Sequence, residues 1–138
     1  MSSQLTMKYM LLMNTPERGP YEILTSWSKQ DLEAHMAFMR LFNQKLADAG
    51  ELVSGAGLTG PDQAKIIRAG ASAEAITDGV FPETKEFLAG YWIVDVKTPE
   101  RAYALAAEAS MAPGPGGAPL RMPIEVRQVM FEISSKGA

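Results

Sequence analysis

LAGYWIVDV, residues 88–96, is the stretch on which the fold turns. It sets Tyr91, Ile93 and Asp95 against Trp92, Val94 and Val96 with a period of two, and its aromatic and β-branched content predicts a central β-strand. Upstream, MKYMLLM (7–13) is a short apolar run bounded by Asn14, Pro16 and Gly19, which suits a strand at the middle of a sheet. A loop over 14–27, long enough to act as a lid, leads to Ser28, a helix N-cap followed by Asp31 in the first turn. The apolar spacing of Leu32, Met36, Met39, Phe42, Leu46 and Ala49 predicts a helix ending at Gly50. ELVSGAGL (51–58) reads as a strand weakened by two glycines, and 64–77 as a hairpin turning near Gly70.

Downstream of the central strand, Thr98 and Pro99 fit the N-cap and first position of a second helix. Ala102, Leu105, Ala106 and Ala109 form its buried face. PGPGGAP (113–119) excludes regular structure, and IEVRQVMF (124–131) supplies a last strand. Two β-α-β units with a hairpin between them give a ferredoxin-like α+β fold: one domain over 1–138, an antiparallel sheet, both helices on one face. A sheet covered on one side and bearing Trp92, Tyr91 and several β-branched residues would expose too much apolar area in a monomer, so a homodimer joining two sheets is expected.

With 138 residues and 46% hydrophobic content, the chain has material for one core. A net charge of −3 with interspersed signs offers no basic patch for nucleic acid or an anionic membrane. There is no cysteine and one histidine, which excludes disulfides, zinc clusters, iron–sulfur sites and thiol nucleophiles; any metal site would be carboxylate-based, and no metal or cofactor is expected. The apolar run Tyr9–Met13 is neither a signal peptide nor a spanning helix, so a cytoplasmic location is expected. Gly55-Ala56-Gly57 lacks the lysine and third glycine of a phosphate loop.

The charge that asks for explanation is DGVFPETKE, residues 78–86, where Asp78, Glu83, Lys85 and Glu86 surround Gly79 next to Val80 and Phe81. As structure, Asp78-Gly79 is a turn and Glu83 with Lys85 a solvated pair. As function, a carboxylate held beside Phe81 and the aromatic strand would have a raised pKa and could serve as acid or base. His35 falls in the apolar arc of the first helix. It reads either as a core-edge histidine bonded to backbone or as a proton-transfer group. Arg127 shares a side of the last strand with Glu125, Val129 and Phe131; it is an edge-strand charge or an anion clamp. Met36 and Met39 read as core filler.

MKYMLLM, AGELVSGAGL, TDGVFPETKEFLAGYWIVDV and EVRQVM together resemble the DGPF branch of the YCII-related family of small bacterial proteins, over most of residues 7–131. Val80 stands where the branch has proline, Pro82 is added, and Gln128 follows Arg127 where the branch again has proline. The resemblance implies a ferredoxin-like fold of the dimeric α/β-barrel type, a cleft, and an enzymatic role that is mostly unassigned. Some YCII-like relatives resemble muconolactone isomerases and use a histidine and an acidic residue; that first-helix histidine corresponds here to Met39, with His35 one turn earlier. The expected roles are proton handling by His35 and Asp78, with Glu83 orienting. Lys85 or Arg127 would meet substrate charge, and Phe81 and Trp92 would contact its apolar body. The reaction expected is isomerase- or lyase-type acid–base chemistry on a small polar or carboxylated compound. The alternatives are a non-catalytic ligand-binding or regulatory accessory protein, linked to an extracytoplasmic-function sigma factor, and a cofactor-free monooxygenase, which needs a large apolar pocket lined by Trp92 and Tyr91.

Overall fold

The computed structural model describes residues 5–16, 26–60, 63–77, 86–133 and 135. Strand β1 (Met7–Pro16) is followed by helix α1 (Lys29–Asp48), β2 (Leu52–Gly57), the short strands β3 (Ile67–Ala69) and β4 (Ala75–Thr77), β5 (Glu86–Val96), α2 (Pro99–Ser110), a 3₁₀ turn (Pro115–Gly117) and β6 (Ile124–Gln128). The four long strands form one sheet in the order β2-β5-β1-β6, with every neighbouring pair antiparallel. Strands β3 and β4 make a separate two-stranded ribbon between β2 and β5. This is the ferredoxin-like α+β topology with a hairpin inserted into its central connection.

Local chemistry sets the helix ends. The Ser28 hydroxyl accepts from the Asp31 N–H at 3.0 Å, and the Thr98 hydroxyl from the Arg101 N–H at 3.1 Å, each satisfying one of the orphan donors of a first turn. At the far end of α1, Gly50 adopts φ +72. Its N–H reaches the Ala47 carbonyl at 3.0 Å, while the Glu51 N–H reaches that of Leu46 at 2.9 Å. This pair of bonds is a Schellman stop, and it needs the left-handed conformation that glycine adopts without a Cβ penalty.

Register assigns the faces. Leu11 lies opposite Trp92 and Tyr9 opposite Val94, and these side chains, with Val96, are buried against Phe42 and Leu46 of α1 and Ala102, Leu105, Ala106 and Ala109 of α2. Both helices therefore cover one face, with α1 over β2 and α2 over β1 and β6. The opposite face carries Lys8, Met10 and Leu12 paired with Asp95, Ile93 and Tyr91, all half-buried, and Glu125 and Arg127 at its β6 edge. Among the described residues, no helix is long and apolar enough to cross a membrane.

Some boundaries differ from the pattern-based expectation. The α1 stripe that meets the core is His35, Phe38, Met39, Phe42 and Leu46, whereas Met36 is 47% exposed. The observed stripe keeps Met39, Phe42 and Leu46 of the expected arc and takes His35 and Phe38 in place of Met36. Strand β1 runs on to Pro16, past Asn14, through a bulge between Met13 and Asn14 that lets the strand bend while keeping its pairing with β5. Strand β6 stops at Gln128, so Phe131 lies beyond the ladder, and Met130 is 88% exposed. In the hairpin, the left-handed residue is Ala73 at φ +64 rather than Gly70, whose N–H instead closes the loop on the Glu74 carbonyl at 2.8 Å.

Candidate functional site

The helix-covered face is not filled evenly. Where β2 and β5 pass beneath the middle of α1, glycines stand at successive inward positions: Gly55 opposite Trp92, and Gly57 opposite Gly90. At Gly55 a Cβ would lie 2.9 Å from the Tyr91 carbonyl oxygen, so glycine is what lets the two strands approach. At Gly57 a Cβ would meet nothing within 4 Å among the described residues, so the missing side chain leaves space there. The result is a cleft of about 330 Å³ lined by Met13, Met39, Asn43, Leu52, Gly55, Ala56, Gly57, Tyr91 and Trp92. That volume falls at the lower end of small-molecule sites, and a mostly apolar wall with few polar groups is their usual composition.

Trp92 forms the cleft's rigid wall. Its ring packs edge-on to Phe42 at 5.3 Å and 79°, and its Nε1–H donates to Asn43 Oδ1 at 2.7 Å. The indole is thereby fixed at both its apolar and its polar end. Met39 and Asn43 are one helical turn apart on α1 and face the cleft together.

His35 is one further turn toward the N-terminus, 7% exposed, and does not line the cleft. Its Nδ1 lies 3.0 Å from the Pro113 carbonyl oxygen, and Trp27 meets its ring edge-on at 5.5 Å. A carbonyl only accepts, so Nδ1 is the nitrogen that donates. The histidine thus ties α1 to the start of the 113–119 loop. Arg127 is on the opposite sheet face, across from Met10, with Glu125 at 3.9 Å as a loose partner. Asp78, Phe81, Glu83 and Lys85 lie outside the described residues, as does most of the 14–27 loop. Of the expected site residues, Trp92 is the one placed in the cleft, and the position where the resemblance puts a histidine, Met39, is also there.

The shifted ionisable groups belong to ion pairs elsewhere. Arg101 donates from Nε and a terminal nitrogen to the two Glu51 oxygens, both at 2.8 Å; these bonds hold the Glu51 carboxyl below its usual range and raise the guanidinium. Glu132 does the same for Lys8 through a 2.7 Å hydrogen bond. Sequence reasoning missed Met13, Asn43 and Leu52. The signal that could have found Asn43 is its i+4 spacing from Met39, which puts a polar residue next to the aromatic strand.

The family model of the YCII-related domain matches residues 7–116, from the start of β1 into the 3₁₀ turn. The chain belongs to the YCII-related family. Within the curated proteins it is similar to an uncharacterized protein of Rhizobium meliloti, 31% identical over 90 residues that cover 65% of this chain and 73% of the relative. The YCII-related match takes in every residue of the cleft and leaves β6, with Arg127, outside.

Proposed function

We propose that this YCII-related protein binds a small organic molecule in the cleft beneath α1 and carries out metal-free acid–base chemistry on it, isomerase- or lyase-type, with Asp78 and Glu83 as the proton-handling groups. The observation that carries this reading is the cleft itself: a concave, largely apolar hollow with a fixed tryptophan wall, located at the helix position that the resemblance equips with a histidine. With Met39 there, the proton transfer falls to the carboxylates of the 78–86 segment, which the sequence places directly before β5. The block from Thr77 to Val96 supports membership of the DGPF branch.

The assembly proposed is a homodimer through the uncovered sheet face. Met10, Leu12, Tyr91 and Ile93 form its apolar centre, and Asp95 Oδ1 beside them is buried without a hydrogen-bond partner among the described residues. Left as the outer surface of a monomer, such a contiguous apolar patch is what a second copy would cover.

The test is a thermal-shift and turnover screen of lactones, muconate-like acids and phenols against wild type, Gly57→Leu and Asp78→Asn. Ligands whose stabilisation vanishes in Gly57→Leu occupy the cleft, and turnover lost in Asp78→Asn with binding retained identifies the acid–base enzyme. Binding without turnover would make the protein a ligand-binding accessory instead. Hits that bind Gly57→Leu as well as wild type would overturn the cleft assignment.

A further inference from the structure

The Trp92–Asn43 contact says more than that the tryptophan is fixed. An indole N–H is a donor with no acceptor capacity, so the Asn43 atom it meets at 2.7 Å is the carbonyl oxygen, and the amide cannot flip without losing that bond. The other end of the amide is therefore an NH₂ group of fixed identity. Asn43 is an exposed residue at the cleft, and among the described residues its Nδ2 has no acceptor. Around it lie Met13, Met39 and Leu52, three apolar side chains of which two are flexible thioethers able to shape themselves to a ligand body.

We infer that the cleft recognises a molecule with an apolar body and one hydrogen-bond-accepting oxygen of the ketone, lactone or quinone type, and that Asn43 is the residue that reads this oxygen. The inference rests on the cleft reading proposed above. Trp92 acts on specificity through Asn43: its N–H holds the amide oxygen and so fixes which end of the amide is the NH₂ donor. A ligand carbonyl oxygen, an acceptor only, takes an N–H of this amide, whereas a hydrocarbon of the same shape offers that N–H nothing. The flanking methionines take hydrocarbon, and Gly57 leaves the space for it.

Asn43→Asp is the discriminating variant, because a carboxylate still accepts from Trp92 Nε1–H but removes both donors. The probes are α-tetralone and tetralin, which share a bicyclic body and differ by the carbonyl oxygen. Binding is read from the Trp92 indole N–H resonance, assigned with a Trp27→Phe control, in wild type, Asn43→Asp and Gly57→Leu. The expected result is that wild type prefers tetralone and Asn43→Asp weakens tetralone about tenfold or more, the scale of one lost hydrogen bond. Tetralin affinity stays unchanged in Asn43→Asp, and Gly57→Leu loses both probes. If Gly57→Leu loses both probes while Asn43→Asp leaves the tetralone-to-tetralin ratio unchanged, the cleft stands and the role of Asn43 is overturned. If neither probe binds wild type, or both bind Gly57→Leu normally, the cleft reading fails and this inference with it.

Discussion

Alanine at Gly55 and alanine at Gly57 should have opposite effects, although the two glycines sit two residues apart on the same face of β2. Neither has a left-handed φ, so backbone conformation does not distinguish them. At Gly55 the new Cβ would lie 2.9 Å from the Tyr91 carbonyl oxygen and 3.4 Å from Trp92 Cδ1; the first is a backbone atom held in the sheet, so β2 must move away from β5. Overpacking of that kind costs about 1–3 kcal/mol, partly offset by about 0.4–1 kcal/mol from the smaller entropy of the unfolded chain. At Gly57 the Cβ meets nothing within 4 Å among the described residues, so only the entropy gain remains. For a domain of this size 1 kcal/mol moves the Tm by about 3–5 °C, so Gly55→Ala should melt below wild type by up to roughly 13 °C and Gly57→Ala roughly 1–5 °C above it. Differential scanning calorimetry at pH 7 measures both. Equal melting temperatures, or Gly57→Ala melting lower than Gly55→Ala, would refute the glycine origin of the cleft.

The Glu51–Arg101 pair predicts a pH dependence. Its carboxyl is held below the ordinary glutamate value of 4.5, so its stabilisation is complete above that value and is lost as pH falls through the depressed one. Glu51→Gln should cost about 0.5–1 kcal/mol at pH 7, discounted because Arg101 is half exposed, and the gap to wild type should close in acid. A gap independent of pH in denaturant melts would refute the pair's contribution. Met10→Glu places a carboxylate opposite Arg127, which the monomer accommodates, yet it charges the centre of the uncovered sheet face. Light scattering should show half the wild-type mass, and an unchanged mass would count against dimerisation through this face. His35→Ala removes a buried ring and the bond to Pro113, so a loss of about 2–3 kcal/mol in urea unfolding is expected, with His35→Phe recovering the packing part only.

The fold was legible because its signals are local and redundant. The alternation of 91–96 gives the central strand, while Ser28, Gly50, Thr98 and Pro99 mark the helix ends with groups that have one physical use each. Antiparallel order followed from the succession of elements, two β-α-β units with a hairpin between them. The site was less legible for three separate reasons. Gly57 reads in sequence as a defect in a strand, and only the pairing with Gly90 turns it into a hollow. Asn43 is a polar residue at a polar position of α1, and its meaning comes from Trp92, 49 residues away. His35 drew attention as the lone histidine, yet rarity in composition says nothing about where a ring nitrogen points.

His35, Met39 and Asn43 stand at i, i+4 and i+8 on α1, so one stripe of the helix serves two purposes. Its first residue bonds the Pro113 carbonyl and the other two face the cleft, while Asp31 at the N-terminus of the same helix accepts from the Gly116 N–H at 3.3 Å. The 113–119 loop is thus joined to α1 at two points, one turn apart, before the cleft begins. With a rise of about 1.5 Å per residue, a tilt of α1 at this contact would carry Met39 and Asn43 with it relative to β2. On this account a histidine outside the cleft still affects what enters it. Weakening the loop contact should loosen ligand binding even where His35 touches no ligand, which makes the affinity of His35→Phe for a cleft ligand a sharper probe of its role than its melting temperature.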